Sequence, residues 1–146
     1  MYRHGKTIRL FEMMQTKTQV IVNDLLNGKE TRKFEFDHAF WSFDGYKEES
    51  NGYKAPAGPK YIDQKEVWRL LGETMLDKAW KGLNTTIFAY GQTGSGKSYT
   101  TFGYGANPGI VPMCSDKLFE RIRNNKDTTL SFKVKVQMVE IYLERI

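Results

Sequence analysis

The sequence predicts an α/β fold, a central β-sheet flanked by helices, and three observations predict it. A β-branched and aromatic run from Thr85 to Tyr90 leads straight into a glycine-rich stretch, and a helical segment follows that stretch. Further on, Leu130, Phe132, Val134, Val136 and Met138 alternate with Ser131, Lys133, Lys135 and Gln137, the period of two expected of a strand with one buried face. The first third is rich in short strand-like runs, whereas apolar residues recur at helical spacing after Asp63 and after Pro112.

Taken in order, strands are expected at Thr7 to Glu12, Thr18 to Val22 and Arg32 to Asp37, with Asn27-Gly28 as a turn. Phe34 and Phe36 alternate with charged neighbours, which predicts a buried face on the third strand. From Asp44 to Tyr61 the composition shifts to Gly, Pro, Lys and Glu. Asn51-Gly52, Pro56 and Gly58-Pro59 there predict a surface loop without a regular element.

A helix then begins. Asp63 can cap it, Glu66 completes a capping box, Val67, Leu70, Leu71 and Met75 share a face, and Gly82 ends it. Pro112 suits the first turn of another helix, in which Cys114, Leu118 and Ile122 fall on one side and Asn124-Asn125 stop the chain.

Composition narrows the classes. With 146 residues, 40% of them hydrophobic and 27% charged, the chain is the size and mixture of one globular domain. The net charge of +5 favours an acidic partner, but the lysines are scattered without a basic run or stripe, so nucleic acid is not expected. The single cysteine, Cys114, cannot form an intrachain disulfide, and His4 and His38 stand too far apart for a zinc site. A reducing, cytosolic setting is expected. No apolar run reaches the roughly 18 residues of a membrane span, and no signal peptide follows Met1.

The chemistry lies in Gly91-Gln92-Thr93-Gly94-Ser95-Gly96-Lys97-Ser98, which satisfies the phosphate-loop pattern of Gly, four residues, Gly, Lys, then Ser or Thr. A triphosphate carries several negative charges, and backbone N–H groups can meet them without ordering long side chains. Gly91, Gly94 and Gly96 let the backbone curl around the phosphates, and the following helix turns its unpaired N–H groups toward the same anion. Lys97 is expected on the β- and γ-phosphates as the catalytic cation, and the Ser98 hydroxyl on Mg²⁺.

A glycine-rich turn that binds nothing would leave Lys97 unexplained. A dinucleotide fingerprint read from Gly94 and Gly96 fails because Tyr99 stands where a third glycine is needed. Asn125-Lys126-Asp127-Thr128 approximates a guanine-recognition motif, but its aspartate comes one place early, and it reads as a solvated turn.

The wider segment from Asn84 to Thr100, with Phe88-Ala89-Tyr90-Gly91-Gln92-Thr93 introducing the loop, resembles the kinesin motor domain. Phe34-Glu35-Phe36-Asp37, Gly109-Ile110-Val111-Pro112 and Val139-Glu140-Ile141-Tyr142-Leu143-Glu144-Arg145 are similar to further kinesin segments, so the resemblance runs through nearly the whole chain. Gly96-Lys97-Ser98-Tyr99-Thr100 and Phe40-Trp41-Ser42 look most like the class three transport kinesins.

The resemblance implies a P-loop NTPase-type fold, present only in part, with residues 1–146 as a partial motor domain. It implies ATP and Mg²⁺ as ligands, Gly91 through Ser98 on the phosphates and Tyr99 beside the adenine. It also implies ATP hydrolysis coupled to movement along microtubules, tubulin as partner, and a cytoplasmic, cytoskeletal location.

The Arg-x-Arg-Pro strand that flanks adenine in the family is absent before Lys6. The switch segments Ser-Ser-Arg-Ser-His and Asp-Leu-Ala-Gly-Ser-Glu are absent from the sequence. Glu140 resembles a residue of an ordinary sheet strand and is not expected on the metal. With no acid to order water and no arginine to meet developing charge, this chain alone is expected to bind nucleotide with little or no turnover. The alternative is a nucleotide-dependent tubulin-binding or switch module without motor activity. A small nucleotide kinase would need an arginine-bearing lid, and only Arg121, Arg123 and Arg145 follow the loop.

Overall fold

The computed structural model describes residues 2–3, 6–7, 11–13, 18–24 and 30–141. Strand β1 (Tyr2–Arg3) pairs with β2 (Lys6–Thr7). Strands β3 (Phe11–Met13), β4 (Gln19–Asp24) and β5 (Glu30–Glu35) form an antiparallel sheet in sequence order. Gln19 lies opposite Glu35 and Asp24 opposite Glu30, and the Phe36 amide extends the ladder to the Thr18 carbonyl at 2.8 Å. The strands expected at Thr18 to Val22 and Arg32 to Asp37 are thus found in β4 and β5, whereas of Thr7 to Glu12 only the ends are described, Thr7 in β2 and Phe11-Glu12 in β3; residues 8–10 and the Asn27-Gly28 turn lie outside the described residues.

The buried face expected at Phe34 and Phe36 is not found: both rings are about half exposed. The alternation is present, but the buried apolar cluster forms elsewhere in the chain.

Two further expectations need correction. The stretch from Asp44 to Tyr61 contains a hairpin, β6 (Tyr46–Glu48) against β7 (Lys54–Pro56), with Lys47 opposite Ala55. Its turn closes through the Gly52 amide on the Glu49 carbonyl at 2.9 Å and the Tyr53 amide on Asn51 Oδ1 at 2.8 Å. The turn residues that argued for a loop thus nucleate a two-stranded element, and Pro56 sits at its edge, where a missing N–H is tolerated.

Conversely, Thr85 to Tyr90 and Leu130 to Met138 form no strand among the described residues. A strand needs a neighbouring chain for its N–H and C=O groups, and a period of two supplies only the side-chain pattern. Phe88 is 83% and Val136 88% exposed, while Phe132 stacks on Trp80 with ring centroids 5.3 Å apart.

The core gathers around one continuous helical rod made of α1 (Gln64–Val67), a π-helical turn (Trp68–Gly72) and α2 (Glu73–Trp80). Asp63 caps it as expected, its Oδ1 accepting from the Glu66 amide at 2.8 Å. The Glu66 carboxylate takes Arg69 Nε and Nη2 at 2.7 Å each. Gly82 ends the rod at φ 84°, with Leu83 N bonded to the Lys78 carbonyl and Gly82 N to that of Ala79.

Helix α3 (Lys97–Thr101), the hairpin of β8 (Gly103–Tyr104) and β9 (Asn107–Pro108), and helix α4 (Ile110–Arg123) follow. Ile62, Val67, Trp68, Leu76 and Ile110 form the buried cluster, with Phe40, Met113, Cys114 and Leu118 packed against it. Burial pushes the Cys114 thiol above its ordinary pKa. No helix among the described residues is long and apolar enough to cross a membrane.

In the π-helical turn the Trp68 ring lies over Gly72: a Cβ added there would stand 2.1 Å from Trp68 Cε3. Since that ring is penned in the core, Gly72→Ala is expected to overpack it by about 1–3 kcal/mol, more than the roughly 1 kcal/mol of helix propensity gained. Chemical denaturation should show a net loss of stability, and a stabilised variant would refute this account of the turn.

Candidate functional site

The glycine-rich stretch folds into a compact turn that runs into α3. Gly91, Gly94 and Gly96 all have positive φ, at 151°, 81° and 95°, where a side chain would be strained. A Cβ on Gly91 would stand 2.5 Å from Ser95 Oγ, whereas the positions where Cβ atoms of Gly94 and Gly96 would lie face open space. The Ser95 amide closes the turn on the Gln92 carbonyl at 3.1 Å.

Lys97 folds back over this loop, and its Nζ donates to the carbonyls of Gly91 at 2.6 Å and Gln92 at 2.8 Å. The ammonium is thereby held against the carbonyls of the loop's first two residues. Thr93 and Gly94 form the exposed tip, and Ser98 is exposed in the first turn of α3. The nine residues singled out from the sequence thus share one continuous turn and helix start. Because α3 has only five residues, its helix dipole contributes little at the loop.

What positions the loop was not legible in the motif. Gln64, buried in the first turn of α1, donates from Nε2 to the Tyr99 carbonyl, tying the rod to α3. Beside it, the buried Asp63 carboxylate also accepts from the Tyr53 phenol, tying the rod to the β6–β7 hairpin.

On the far side of α3, buried Asn107 accepts from the Lys54 amide and donates to the Gly52 carbonyl, each at 2.9 Å. The hairpin is thereby stapled to β9. These contacts join residues 35 to 55 positions apart and leave no local period in the sequence.

Aromatic rings line the same region. Tyr99 stacks on Tyr104 with centroids 6.1 Å apart, and Tyr46 lies against Tyr61 at 5.3 Å. Lys60 stands over the Trp41 ring at 3.7 Å, Lys65 over Tyr53 at 4.2 Å and Lys54 over Tyr46 at 4.7 Å, so lysine ammonium groups cap the hairpin's aromatic surface.

Burial raises both the Tyr53 and Tyr61 phenols. The hydrogen bond to Asp63 holds the Tyr53 proton further, and the neighbouring Tyr99 phenol helps to take Tyr61 up to about 12. Among the described residues no group of three or more His, Cys, Asp or Glu side chains could hold a metal ion.

A model of the kinesin motor domain family matches residues 3–146. Among curated proteins, the chain is 42% identical over 129 residues to kinesin-like protein KIF28 of Rattus norvegicus, covering 87% of this chain and 12% of that one. It is 46% identical over 121 residues to unc-104 of Caenorhabditis elegans, covering 81% and 7%.

Among solved structures, KIF14 with ADP in complex with a microtubule superposes with a TM-score of 0.68 at 34% identity, covering 83% of this chain and 30% of that chain. A KIF14 dimer with AMP-PNP in complex with a microtubule gives 0.66 at 34%, covering 82% and 29%. The chain therefore spans a small part of each protein it matches.

Both raised phenols hold their protons more tightly in the folded chain than in the unfolded one, where tyrosine titrates near 10. Their stabilising effect is complete below about pH 10 and is lost as pH rises toward 12. Denaturation at pH 8 and pH 11 should show a smaller alkaline loss in Tyr61→Phe than in the parent chain; equal losses would contradict the assigned burial of this phenol.

Proposed function

The chain belongs to the kinesin motor-domain family, with the phosphate-loop α/β fold that its sequence predicts, and from that premise we propose that it binds ATP with Mg²⁺ at Gly91 to Ser98. In the whole protein this would be the nucleotide-binding portion of a microtubule motor. The observation that carries the reading is the Lys97 ammonium seated within a loop of three positive-φ glycines, against the Gly91 and Gln92 carbonyls. A bare turn has no use for a buttressed cation at its centre, and open space beyond Gly94 and Gly96 leaves the loop amides accessible to an anion.

Each residue has a role in this reading. The amides of Gln92, Thr93, Gly94, Gly96 and Lys97 donate to phosphate oxygens, and Lys97 exchanges its two carbonyl acceptors for β- and γ-phosphate oxygens. Ser98 offers its hydroxyl to Mg²⁺, and Tyr99 lies beside the adenine. Bound Mg²⁺ supplies charge neutralisation across the phosphates. The family supports hydrolysis coupled to movement on cytoplasmic microtubules for the whole protein, with tubulin as the acidic partner that a net charge of +5 suits.

For these 146 residues alone a second reading is favoured by a specific observation. Neither Ser-Ser-Arg-Ser-His nor Asp-Leu-Ala-Gly-Ser-Glu, the switch segments of the resemblance, occurs in the sequence. Without groups to orient water and meet developing charge, the chain would act as a nucleotide-dependent binding module.

Calorimetry should show ATP·Mg²⁺ binding preferred over GTP·Mg²⁺ and weakened about tenfold to a hundredfold in Lys97→Ala, the worth of a charge-assisted contact. Unchanged affinity in a folded variant would refute the site. Steady-state assays of residues 1–146 should show no microtubule-stimulated ATP turnover, and a clear stimulated rate would refute the binding-module reading.

A further inference from the structure

Tyr99 is held on three sides. Its carbonyl accepts from Gln64 Nε2, its ring stacks on Tyr104 with centroids 6.1 Å apart and planes 29° from parallel, and its phenol neighbours that of Tyr61. Gln64 is only 5% and Tyr61 3% exposed, so both are fixed points. Tyr61 is anchored in turn: its backbone bridges to Trp41, the next amide, Ile62 N, donates to the Trp41 carbonyl at 2.8 Å, and its ring packs on Tyr46.

Packing alone does not account for this. Tyr104 is 65% exposed and Tyr99 only half buried, yet the two rings remain stacked, Tyr99 directly following the phosphate loop's last residue. With Tyr104 on one face of Tyr99, a planar base stacks on the opposite face.

We infer that Tyr61, Gln64 and Tyr104 are positioning residues that hold the Tyr99 ring in one orientation beside the phosphate loop, and so set how strongly the chain prefers an adenine nucleotide to a bare triphosphate. This rests on the reading that Gly91 to Ser98 take the triphosphate and Tyr99 meets the base. The three act only through Tyr99. Their loss should therefore weaken base recognition and leave the phosphate contacts as they were.

The test is calorimetric titration of the full chain with ATP·Mg²⁺ and with inorganic tripolyphosphate·Mg²⁺, taking the ratio of the two affinities as readout. Tyr61→Phe removes one hydroxyl from a packed ring, and Tyr104→Ala removes the stacking partner. Each should lower ATP affinity about threefold to tenfold and leave tripolyphosphate unchanged. Tyr104→Phe, which keeps the ring, should restore the parent ratio.

If Tyr99→Ala narrows the ratio but Tyr61→Phe and Tyr104→Ala keep it at the parent value, the positioning role is overturned and the base reading stands. Equal weakening of both ligands by those two variants would show a general structural role and also overturn it. A ratio unmoved by Tyr99→Ala would overturn the base reading and the inference with it.

Discussion

The tertiary tie that fixes the end of the glycine loop starts from the first turn of one helix. There the Asp63 carboxylate accepts from both the Glu66 amide and the Tyr53 phenol, and the adjacent Gln64 donates to the Tyr99 carbonyl. Both side chains are buried, so each would be costly to leave unpaired, at about 1–3 kcal/mol or more for the charged group. Against the 5–15 kcal/mol typical of a whole domain, two adjacent groups of this kind are decisive. They force hairpin, rod and α3 to dock together or not at all.

The docking explains how an exposed loop can be well defined. Gly91 through Gly96 bury nothing, and their shape follows from what lies at either end. Downstream, α3 is fixed by Gln64, and Asn107 staples the β6–β7 hairpin to β9; within the loop, Lys97 ties the first turn to the helix start. Preorganisation of this kind lowers the ordering cost of gathering several amides and an ammonium around one anion. The same logic extends outward through Tyr61 to the hairpin, so a segment with no part in phosphate contact still shapes the site.

Local rules made much of this legible in the sequence. Asp63 as cap, Gly82 as stop and Pro112 in a first turn each depend on residues within one turn of each other, and each took the expected form. The failures were of two kinds.

Thr85 to Tyr90 and Leu130 to Met138 have strand composition but no ladder partner among the described residues, and Phe34 and Phe36 have an apolar period but no core over them. In these cases the pattern gives a preference that only a neighbouring segment can realise. Gln64, Asn107, Tyr61 and Tyr104 failed in the other direction. Their roles come from tertiary contacts across the chain, and a single Gln or Tyr between helices and turns carries no periodic signal.

The central claim is that a preshaped loop, fixed by Lys97 and the buried helix start, receives a nucleotide triphosphate. Hydrogen exchange of the backbone amides, followed with and without ATP·Mg²⁺, tests it most directly, because the donors themselves are observed. Binding should slow exchange at residues 91–100 while the β6–β7 hairpin and the rod keep the protection they already have. Unchanged exchange across 91–100 at saturating nucleotide, or protection that appears only elsewhere in the chain, would contradict the account.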